Sequence, residues 1–270
     1  MPELPEVETT CRGIGPHILG QRIQRVIIRN YRLRWPISRT LATTLKKQTV
    51  ISVSRRAKYI LIRFDQGCLI LHLGMSGSLR ILSAETAVQK HDHVDLVFEN
   101  GICLRFRDPR RFGSIHWTRQ DPANHKLLRP LGPEPLDGQL AGHLYTLSRG
   151  RRVAIKQFIM NSHVVVGIGN IYASEALFRA GIHPGRKAGR ISKASYRNLS
   201  TAIKGVIKQA IQAGGTTLRD FSSSDGTPGY FGQSLNVYGK KGEPCSVCAT
   251  PITQLILGQR SSYYCKQCQH

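Results

Sequence analysis

The sequence predicts an α+β protein in which a β-rich N-terminal part is followed by a helical part and a small cysteine-rich module. In the first 120 residues, short β-branched segments alternate with turn residues, which is the pattern of an antiparallel sandwich or barrel. After the segment 131–135, which holds two prolines and a glycine, apolar residues recur at helical spacing. Four of the seven cysteines lie in the last thirty residues.

The N-terminal part contains one predicted helix and eight predicted strands. The helix spans residues 5–18, with Pro5 in its first turn and with Glu6 and Glu8 near the positive end of the helix dipole. Turn residues bound each strand, and the regular spacing favours antiparallel pairing. The predicted strands are 22–29, 50–55, 59–64, 69–73, 79–82, 94–98, 103–107 and 114–117.

Three helices are predicted in the second half of the chain, at 152–162, 171–180 and 192–213. The last is the most regular, because its apolar residues form one stripe. Ser192 is a suitable N-cap, and the pair Gly214-Gly215 would end the helix. The serine- and glycine-rich segment 222–234 follows, and a loop of this length is either functional or disordered.

Basic residues exceed acidic ones throughout the chain. There are 39 lysines and arginines against 16 aspartates and glutamates, which gives a net charge of +23. The excess is +11 over residues 1–135 (22 basic, 11 acidic) and +12 over residues 136–270 (17 basic, 5 acidic). Such a charge favours a polyanionic partner, either nucleic acid or an acidic membrane surface. Because neither a membrane-spanning segment nor a signal peptide is predicted, we expect a cytoplasmic protein.

The C-terminal cysteines have the spacing of a zinc site. Cys245-x2-Cys248 and Cys265-x2-Cys268 form two knuckles that can bring four thiolates to one ion. Four thiolates leave no open coordination position, so the predicted zinc is structural. The alternative is a pair of disulfides. The apolar residues between the knuckles predict a β-hairpin with Arg260 at its tip, where the side chain either contacts DNA or is a solvated charge.

Two basic segments of the N-terminal part have a composition that is typical of nucleic-acid contacts. The segment 108–113 places Arg110 beside Phe112, and an arginine next to an aromatic ring suits phosphate contact combined with base stacking. The alternative is a buried Phe112 flanked by surface arginines. Lys58 ends the basic run 55–58, which is either a DNA contact or a solvated face.

Two further motifs are less specific. His91 and His93 flank an aspartate and resemble metal ligands. The favoured interpretation is that these are alternating polar positions at the start of a strand, and either histidine could contact a phosphate. The segment 167–170 places two glycines and Asn170 before an apolar helix. Free N–H groups at a helix N-terminus bind anions, with Asn170 as a candidate N-cap, although an ordinary tight turn has the same pattern.

The N-terminal residues Pro2 and Glu3 could carry covalent chemistry. If Met1 is removed, Pro2 has a free secondary amine, and the pKa of an α-amine is about 8, well below that of lysine. Such an amine can attack an electrophilic carbon and form a Schiff base, with Glu3 moving protons beside it. The alternative is an inert N-terminus, as in most proteins.

Taken together, these segments resemble the bacterial formamidopyrimidine-DNA glycosylases, which remove oxidised purines in base-excision repair. The resemblance extends over essentially the whole chain. It implies an N-terminal β-sandwich with flanking helices, a helix–two-turn–helix domain and a zinc finger, with DNA in a basic cleft. The implied boundaries are 1–131, a linker at 132–151, 152–235 and 236–270. The shared motifs are 1–9, 55–59, 72–77, 108–113, 166–175 and the four-cysteine segment.

The resemblance also implies a mechanism in which the damaged nucleotide is flipped out of the duplex. Pro2 matches the nucleophile that attacks the anomeric carbon, and Glu3 matches the acid that assists departure of the base and opening of the sugar ring. Lys58 matches a lysine that transfers protons during β-elimination. Arg260 matches an arginine linked to δ-elimination and to phosphates of the damaged strand.

Further roles follow from the same resemblance. Met75, Arg110 and Phe112 match residues that fill the space left by the flipped base. The loop 222–232 matches a segment that closes over the extruded base. Apart from the resemblance, the first-turn position of Glu6 indicates a helix-capping residue, and three cysteines without a partner motif are interpreted as core residues. The matches to phosphate or sugar contacts are His91, Arg152, Lys156 and Asn170, and the unassigned cysteines are Cys11, Cys68 and Cys103.

Three other functions are compatible with parts of the sequence. An enzyme resembling endonuclease VIII shares Pro2, Glu3 and the finger but removes oxidised pyrimidines; Leu4 and the set Met75, Arg110 and Phe112 favour the purine enzyme. A non-catalytic DNA-binding zinc protein and a zinc-ribbon RNA-binding factor explain the charge but not the N-terminus. We therefore expect a monomeric, cytoplasmic and nucleoid-associated glycosylase/AP lyase that acts on double-stranded DNA containing a damaged base.

Overall fold

The computed structural model describes residues 2–215 and 231–270, which divide into two compact units. The first contains the described residues up to 129 together with 213–215, and the second contains 130–212 and 231–270. None of the helices within these described residues is long and apolar enough to cross a membrane. The mixture of antiparallel sheets, helices and a C-terminal hairpin confirms the predicted α+β class.

The first unit begins with helix α1 (Leu4–Ile18), which confirms the predicted helix. Glu3 is its N-cap, and Glu3 and Glu6 form a capping box in which each carboxylate accepts the backbone N–H of the other residue. The buried face of α1 packs on the second strand, where Cys11 Sγ lies 3.4 Å from the carbonyl oxygen of Ser54. The first turn of α1 is therefore fixed both by its own cap and by the sheet.

Eight strands follow and form two four-stranded antiparallel sheets. Their apolar faces form one buried core with α1 and with a short helix, α2 (Leu41–Leu45). All eight predicted strands are present, with ends displaced by at most two residues. They are β1 (Ile23–Ile28), β2 (Val50–Arg56), β3 (Tyr59–Phe64), β4 (Gly67–His72), β5 (Ser78–Ser83), β6 (Asp92–Phe98), β7 (Ile102–Arg107) and β8 (Ser114–Thr118). The strand orders in the two sheets are β1-β6-β7-β5 and β2-β3-β4-β8.

The second unit contains helices α3 (Leu140–Ser148), α4 (Ile155–Met160), α5 (Asn170–Arg179) and α6 (Lys193–Gln212). The stripe predicted on α6 is buried as far as Ala210, and Ser192 Oγ accepts the N–H of Ser195 at its N-terminus. Sequence reasoning missed α2 and α3, because each buries only two leucines one turn apart. Helix α4 is shorter than its predicted span 152–162, since the preceding backbone pairs with 186–187.

The C-terminal module is a hairpin of strands β9 (Thr253–Leu257) and β10 (Arg260–Tyr264), as predicted from the residues between the knuckles. Its turn consists of Gly258 and Gln259, both with positive φ (53° and 63°). Two residues with positive φ match the right-handed twist of the strands in a tight hairpin. The turn therefore sets Arg260 as the first residue of β10.

Candidate functional site

Pro2 and Glu3, the predicted nucleophile and acid, lie in a buried backbone segment that a hydrogen bond holds in place. Pro2 is buried and Glu3 is 4% exposed. The N–H of Glu3 donates to Glu6 Oε2 at 2.8 Å, and Glu6 is fully buried. This hydrogen bond confirms the interpretation of Glu6 as a capping residue. It holds the peptide that directly follows Pro2, so the orientation of the Pro2 nitrogen depends on Glu6.

Glu6 also contacts the segment that leads into the predicted loop. Gly215 has φ +83°, and a Cβ at this position would lie 3.2 Å from Glu6 Cγ and Oε1. Only glycine combines this backbone with such close approach. The loop predicted at 222–232 lies outside the described residues except at its last two positions.

Lys58 lies in the turn between β2 and β3 and is half-buried. Arg55 ties this turn to the N-terminal helix, since its Nη1 donates to the carbonyl oxygen of Ala57 at 2.9 Å and its Nε to Glu8 Oε2 at 3.1 Å. Ala57 has a positive φ (56°), which sharpens the turn. The structure thus links the turn of Lys58 to the helix capped by Glu3.

His72, at the end of β4, is a neighbour of Lys58 that sequence reasoning did not assign a role. Its ring lies 4.9 Å from the ring of Tyr59, and its Nδ1 accepts the N–H of Gly74 at 2.9 Å. Burial, and then the positive charges of Lys58 and Arg34, lower the pKa of His72 to about 4. The ring is therefore neutral near pH 7, with its proton on Nε2.

Met75, Arg110 and Phe112 occupy two turns that pack against each other. A Cβ at Gly74 would lie 2.5 Å from the backbone nitrogen of Gly113, so the two backbones touch. Asp108, fully buried, joins them: its Oδ1 accepts from Ser76 Oγ at 3.1 Å and its Oδ2 from the N–H of Gly113 at 2.7 Å. In the sequence, Asp108 is only the first residue of the motif 108–113, and its connecting role is visible only in the fold.

Arg110 and Phe112 are both exposed, and Phe112 is 44% exposed. The guanidinium carbon of Arg110 lies 5.0 Å from the centre of the Phe112 ring, which is a cation–π contact. Phe112 is therefore not the core residue of the alternative interpretation. An exposed ring beside a cation can insert between bases or stack on them.

His91 is half-buried with φ +77°, and its carbonyl oxygen accepts the N–H of Asp108 at 3.0 Å. His93 is buried and its Nε2 lies 2.9 Å from the carbonyl oxygen of the same aspartate. Within the described residues, neither histidine belongs to a group that could hold a metal ion. Both histidines instead support the turn at 108–113.

In the second unit, Lys156 and Asn170 converge on the C-terminal hairpin, whereas Arg152 is exposed. Lys156 Nζ donates to the carbonyl oxygen of Ser261 at 3.0 Å, and Asn170 Nδ2 donates to the same oxygen at 3.1 Å. Asn170 is the first residue of α5 and Gly169 is its N-cap, so the predicted capping role of Asn170 is wrong. Arg260 is exposed beside this contact.

Glu175, which the sequence presented only as part of a motif, anchors the segment that precedes the finger. It is fully buried in α5, and its carboxylate accepts four hydrogen bonds of 2.9–3.0 Å from Asn236, Val237 and Tyr238. A buried carboxylate needs such partners to offset the loss of hydration. No sequence signal predicts this contact, because the partners lie about sixty residues away.

The four C-terminal cysteines form a compact cluster. All four Sγ atoms lie within 4.8 Å of one another, with separations of 3.9 Å for Cys245–Cys268 and 3.4 Å for Cys248–Cys265. A tetrahedral zinc with Zn–S bonds of about 2.3 Å requires sulfurs about 3.8 Å apart, so the donor set fits one zinc ion. All seven cysteines are free, which argues against the disulfide alternative.

The three remaining cysteines are core residues, as predicted. Cys11, Cys68 and Cys103 are 7%, 1% and 0% exposed. Burial raises the pKa of Cys11 to about 12 and the pKa values of Cys68 and Cys103 to about 11. Because the thiolate is the reactive form, these residues are inert near pH 7.

Three known domain families together match most of the chain. The Formamidopyrimidine-DNA glycosylase N-terminal domain matches residues 1–115, the H2TH domain of the same protein matches 131–222, and a zinc finger found in FPG and IleRS matches 242–270. The formamidopyrimidine-DNA glycosylases of Nitrosococcus oceani and Methylococcus capsulatus are 57% and 59% identical to this chain, each with 100% of both chains covered.

Solved structures agree with this result. The chain is similar, with a TM-score of 0.92 and 32% identity over 100% of both chains, to a Lactococcus lactis FPG mutant in complex with Fapy-dG-containing DNA. It is also similar to the MutM (FPG) protein from Thermus thermophilus, with a TM-score of 0.88 and 34% identity over 99% and 98% of the two chains. A third similar structure, with a TM-score of 0.90, is wild-type Lactococcus lactis FPG with DNA containing an oxidised pyrimidine.

Proposed function

This chain belongs to the formamidopyrimidine-DNA glycosylase family and is a DNA glycosylase/AP lyase of base-excision repair, and we propose that Pro2 is its nucleophile. The observation that carries this proposal is the fixed N-terminal geometry. Pro2 is buried, and the peptide after it is hydrogen-bonded to the buried Glu6. A nucleophile held in one orientation reacts faster than a mobile one, because less entropy is lost on the way to the transition state.

The proposed reaction has two stages. With Met1 removed, the Pro2 nitrogen attacks C1′ of the flipped nucleotide and the glycosidic bond breaks, releasing the base. Glu3 protonates the departing base, takes up the proton that the Pro2 nitrogen loses, and passes it to the ring oxygen as the sugar opens. This gives a Schiff base between Pro2 and C1′. The Schiff base acidifies the C2′ proton. Its removal, with Lys58 as the proton carrier, expels the 3′ phosphate, and a second elimination assisted by Arg260 expels the 5′ phosphate.

Oxidised purines, 8-oxoguanine and formamidopyrimidines, are the proposed lesions. Exposed Phe112 and Arg110, with Met75 in the adjoining turn, would fill the space left by the flipped base, and the arginine would contact the orphaned cytosine. The similar structure of a Lactococcus lactis FPG mutant contains Fapy-dG in its DNA, which supports this class. Another similar structure contains an oxidised pyrimidine in its DNA. Assays with oxidised purines and oxidised pyrimidines would measure the lesion preference.

The DNA partner, the domain boundaries, the zinc site and the remaining DNA contacts are proposed from the excess of basic residues and from the family to which the chain belongs. Double-stranded DNA carrying a damaged base is the proposed partner of a monomer in the cytoplasm, close to the nucleoid. We also propose the division 1–131, 132–151, 152–235 and 236–270, with α3 inside the connecting segment. The four cysteines would hold one structural zinc that stabilises the hairpin. The residues proposed to contact phosphate or sugar are His91, Arg152 and Asn170.

Borohydride trapping tests the nucleophile directly. The protein, with removal of Met1 confirmed by intact mass, is mixed with a duplex containing 8-oxoguanine opposite cytosine and with sodium borohydride. We expect a covalent protein–DNA adduct that maps to Pro2, because borohydride reduces the Schiff base to a stable amine.

Pro2→Gly is the informative variant in this experiment. It should bind the lesion duplex nearly as well as the wild type but release base at a strongly reduced rate. Protein that retains Met1 should also fail to form the adduct, because its nitrogen is blocked. Cleavage by Pro2→Gly at the wild-type rate, or an adduct at another residue, would contradict the proposal.

A further inference from the structure

The carbonyl oxygen of Ser261 is a point where two helices of the second unit hold the finger hairpin. Lys156 of α4 and Asn170 of α5 both donate to it, at 3.0 and 3.1 Å. Ser261 directly follows Arg260 in β10. The peptide carbonyl next to the proposed δ-elimination residue is therefore fixed from two independent elements.

Lys156 is buried to a degree that is rare for lysine, with 1% of the residue exposed. Its ammonium also donates to Ser262 Oγ at 2.9 Å, and Ser262 is fully buried. A buried ammonium is costly unless hydrogen bonds replace its hydration. The hairpin supplies two of these acceptors, so the position of the lysine and the position of the hairpin depend on each other.

The other side of the hairpin turn also meets α4. A Cβ at Gly258 would collide with the side chain of Gln157, the residue after Lys156. Two consecutive residues of α4, Lys156 and Gln157, therefore contact the start of β10 and the hairpin turn. Because the side chain of Arg260 is exposed, its placement depends on this backbone rather than on packing of its own.

We propose that Lys156 is a positioning residue for Arg260, and that it holds the finger hairpin instead of contacting a DNA phosphate. This proposal rests on the proposed role of Arg260 in the second elimination. Removing the ammonium leaves the Schiff-base step at Pro2 intact and lets the carbonyl of Ser261 move. The product then changes from the δ-elimination end, a 3′ phosphate, toward the β-elimination end, a 3′ unsaturated aldehyde.

The ratio of these two DNA ends is the decisive measurement, because it does not depend on the fraction of active enzyme. Lys156→Met, which keeps the length of the side chain, should lower the δ-to-β ratio about tenfold, as expected for the loss of hydrogen bonds from a charged donor. Lys156→Arg should restore part of the ratio. Lys208→Met is the matched control, since it removes one positive charge from an exposed position of the same unit, and it should keep the wild-type ratio.

A double variant tests whether Lys156 acts through Arg260. Arg260→Gln should itself lower the ratio, and adding Lys156→Met should lower it little further. Zinc content should match the wild type in each variant, and Lys156→Met should still form the borohydride adduct. If Lys156→Met does not fold, Ser262→Ala removes one acceptor of the ammonium and should lower the ratio by a smaller factor.

The outcomes separate the two proposals. If Arg260→Gln lowers the ratio but Lys156→Met behaves like Lys208→Met, the positioning role is wrong and the role of Arg260 stands. Additive effects in the double variant would show that Lys156 acts independently of Arg260, which also overturns the positioning role. If Arg260→Gln leaves the ratio at the wild-type value, both roles are wrong.

Discussion

At the scale of single residues, the chemistry of this enzyme depends on groups whose ionisation is set by their surroundings. The nitrogen of Pro2 would be a weaker base than a lysine side chain because it is an α-amine. His72 lies beside Lys58 and is kept neutral by burial and by positive charges. A neutral ring that accepts the N–H of Gly74 fixes the start of the turn that carries Met75.

The depressed pKa of His72 predicts a specific dependence of stability on pH. Because its pKa is about 4 in the folded protein and about 6.5 in an unfolded chain, the unfolded state binds more protons between these values. Stability is therefore lost as pH falls from about 6.5 to about 4, by about 3 kcal/mol for this one group. His72→Asn keeps an acceptor for the N–H of Gly74 but does not titrate, so it should lose less stability over this range.

Urea unfolding at pH 7 and at pH 4 measures the difference between the variant and the wild type. The exposed His17 provides a control, and His17→Asn should follow the wild type at both pH values. Equal losses of stability in the wild type and in His72→Asn would show that the pKa of His72 is the same in the folded and the unfolded protein. In that case the assignment of a lowered pKa would be wrong.

At the scale of elements, function depends on short turns held by buried polar groups. Asp108 joins the turns of Met75 and Phe112, and Glu175 anchors the segment that leads into the finger. The hairpin that carries Arg260 has little core of its own. Among the residues that the structure describes, the buried members of the apolar cluster around it are Phe178, Val237, Cys245, Ile252 and Cys265. Modules of this size need a metal or disulfides to fold.

Removing zinc should therefore unfold the hairpin while the eight-stranded core remains folded. We expect chelation to lower the affinity for lesion DNA roughly tenfold, the order expected for the loss of one or two charged contacts. Fluorescence anisotropy of a labelled duplex measures the affinity, and circular dichroism reports on the core. Restored binding after addition of zinc is the control for irreversible damage, and full affinity in the metal-free protein would show that the finger is peripheral to binding.

At the scale of the whole molecule, the net charge of +23 is divided almost equally between the two halves of the chain. Each phosphate neutralised on binding releases counterions, so affinity falls as salt rises. If about six phosphates are contacted, affinity should fall by about 10³ between 50 and 200 mM salt.

Titrations of lesion duplex and of undamaged duplex of the same length measure this slope. Both slopes should be steep and similar, because phosphate contacts do not depend on the base. The difference in affinity between the duplexes should change little with salt, since it comes from the flipped base and the groups that replace it. A shallow slope for both duplexes would contradict binding through distributed basic residues.

Local sequence patterns were sufficient for most of the architecture. The eight strands, the stripe of α6, the hairpin and the four-cysteine site depend on periodicity and spacing within a few residues, and these were predicted correctly. The short helices α2 and α3 were missed because two buried leucines leave no period to detect. The N-terminal motif identified Pro2 and Glu3 as candidates, and the capping role of Glu6 followed from its place in the first turn.

The tertiary structure alone decided which environment each polar side chain meets. The sequence presents Lys156 as one more basic residue, but it is buried against Ser261 and Ser262, more than a hundred positions away. The low pKa of His72 likewise depends on groups outside its own strand, including Lys58 and Arg34. Spacing along a chain determines local structure because those contacts are close in sequence. The hydration and partners of a charged group depend on contacts between distant segments, which exist only once the chain has folded.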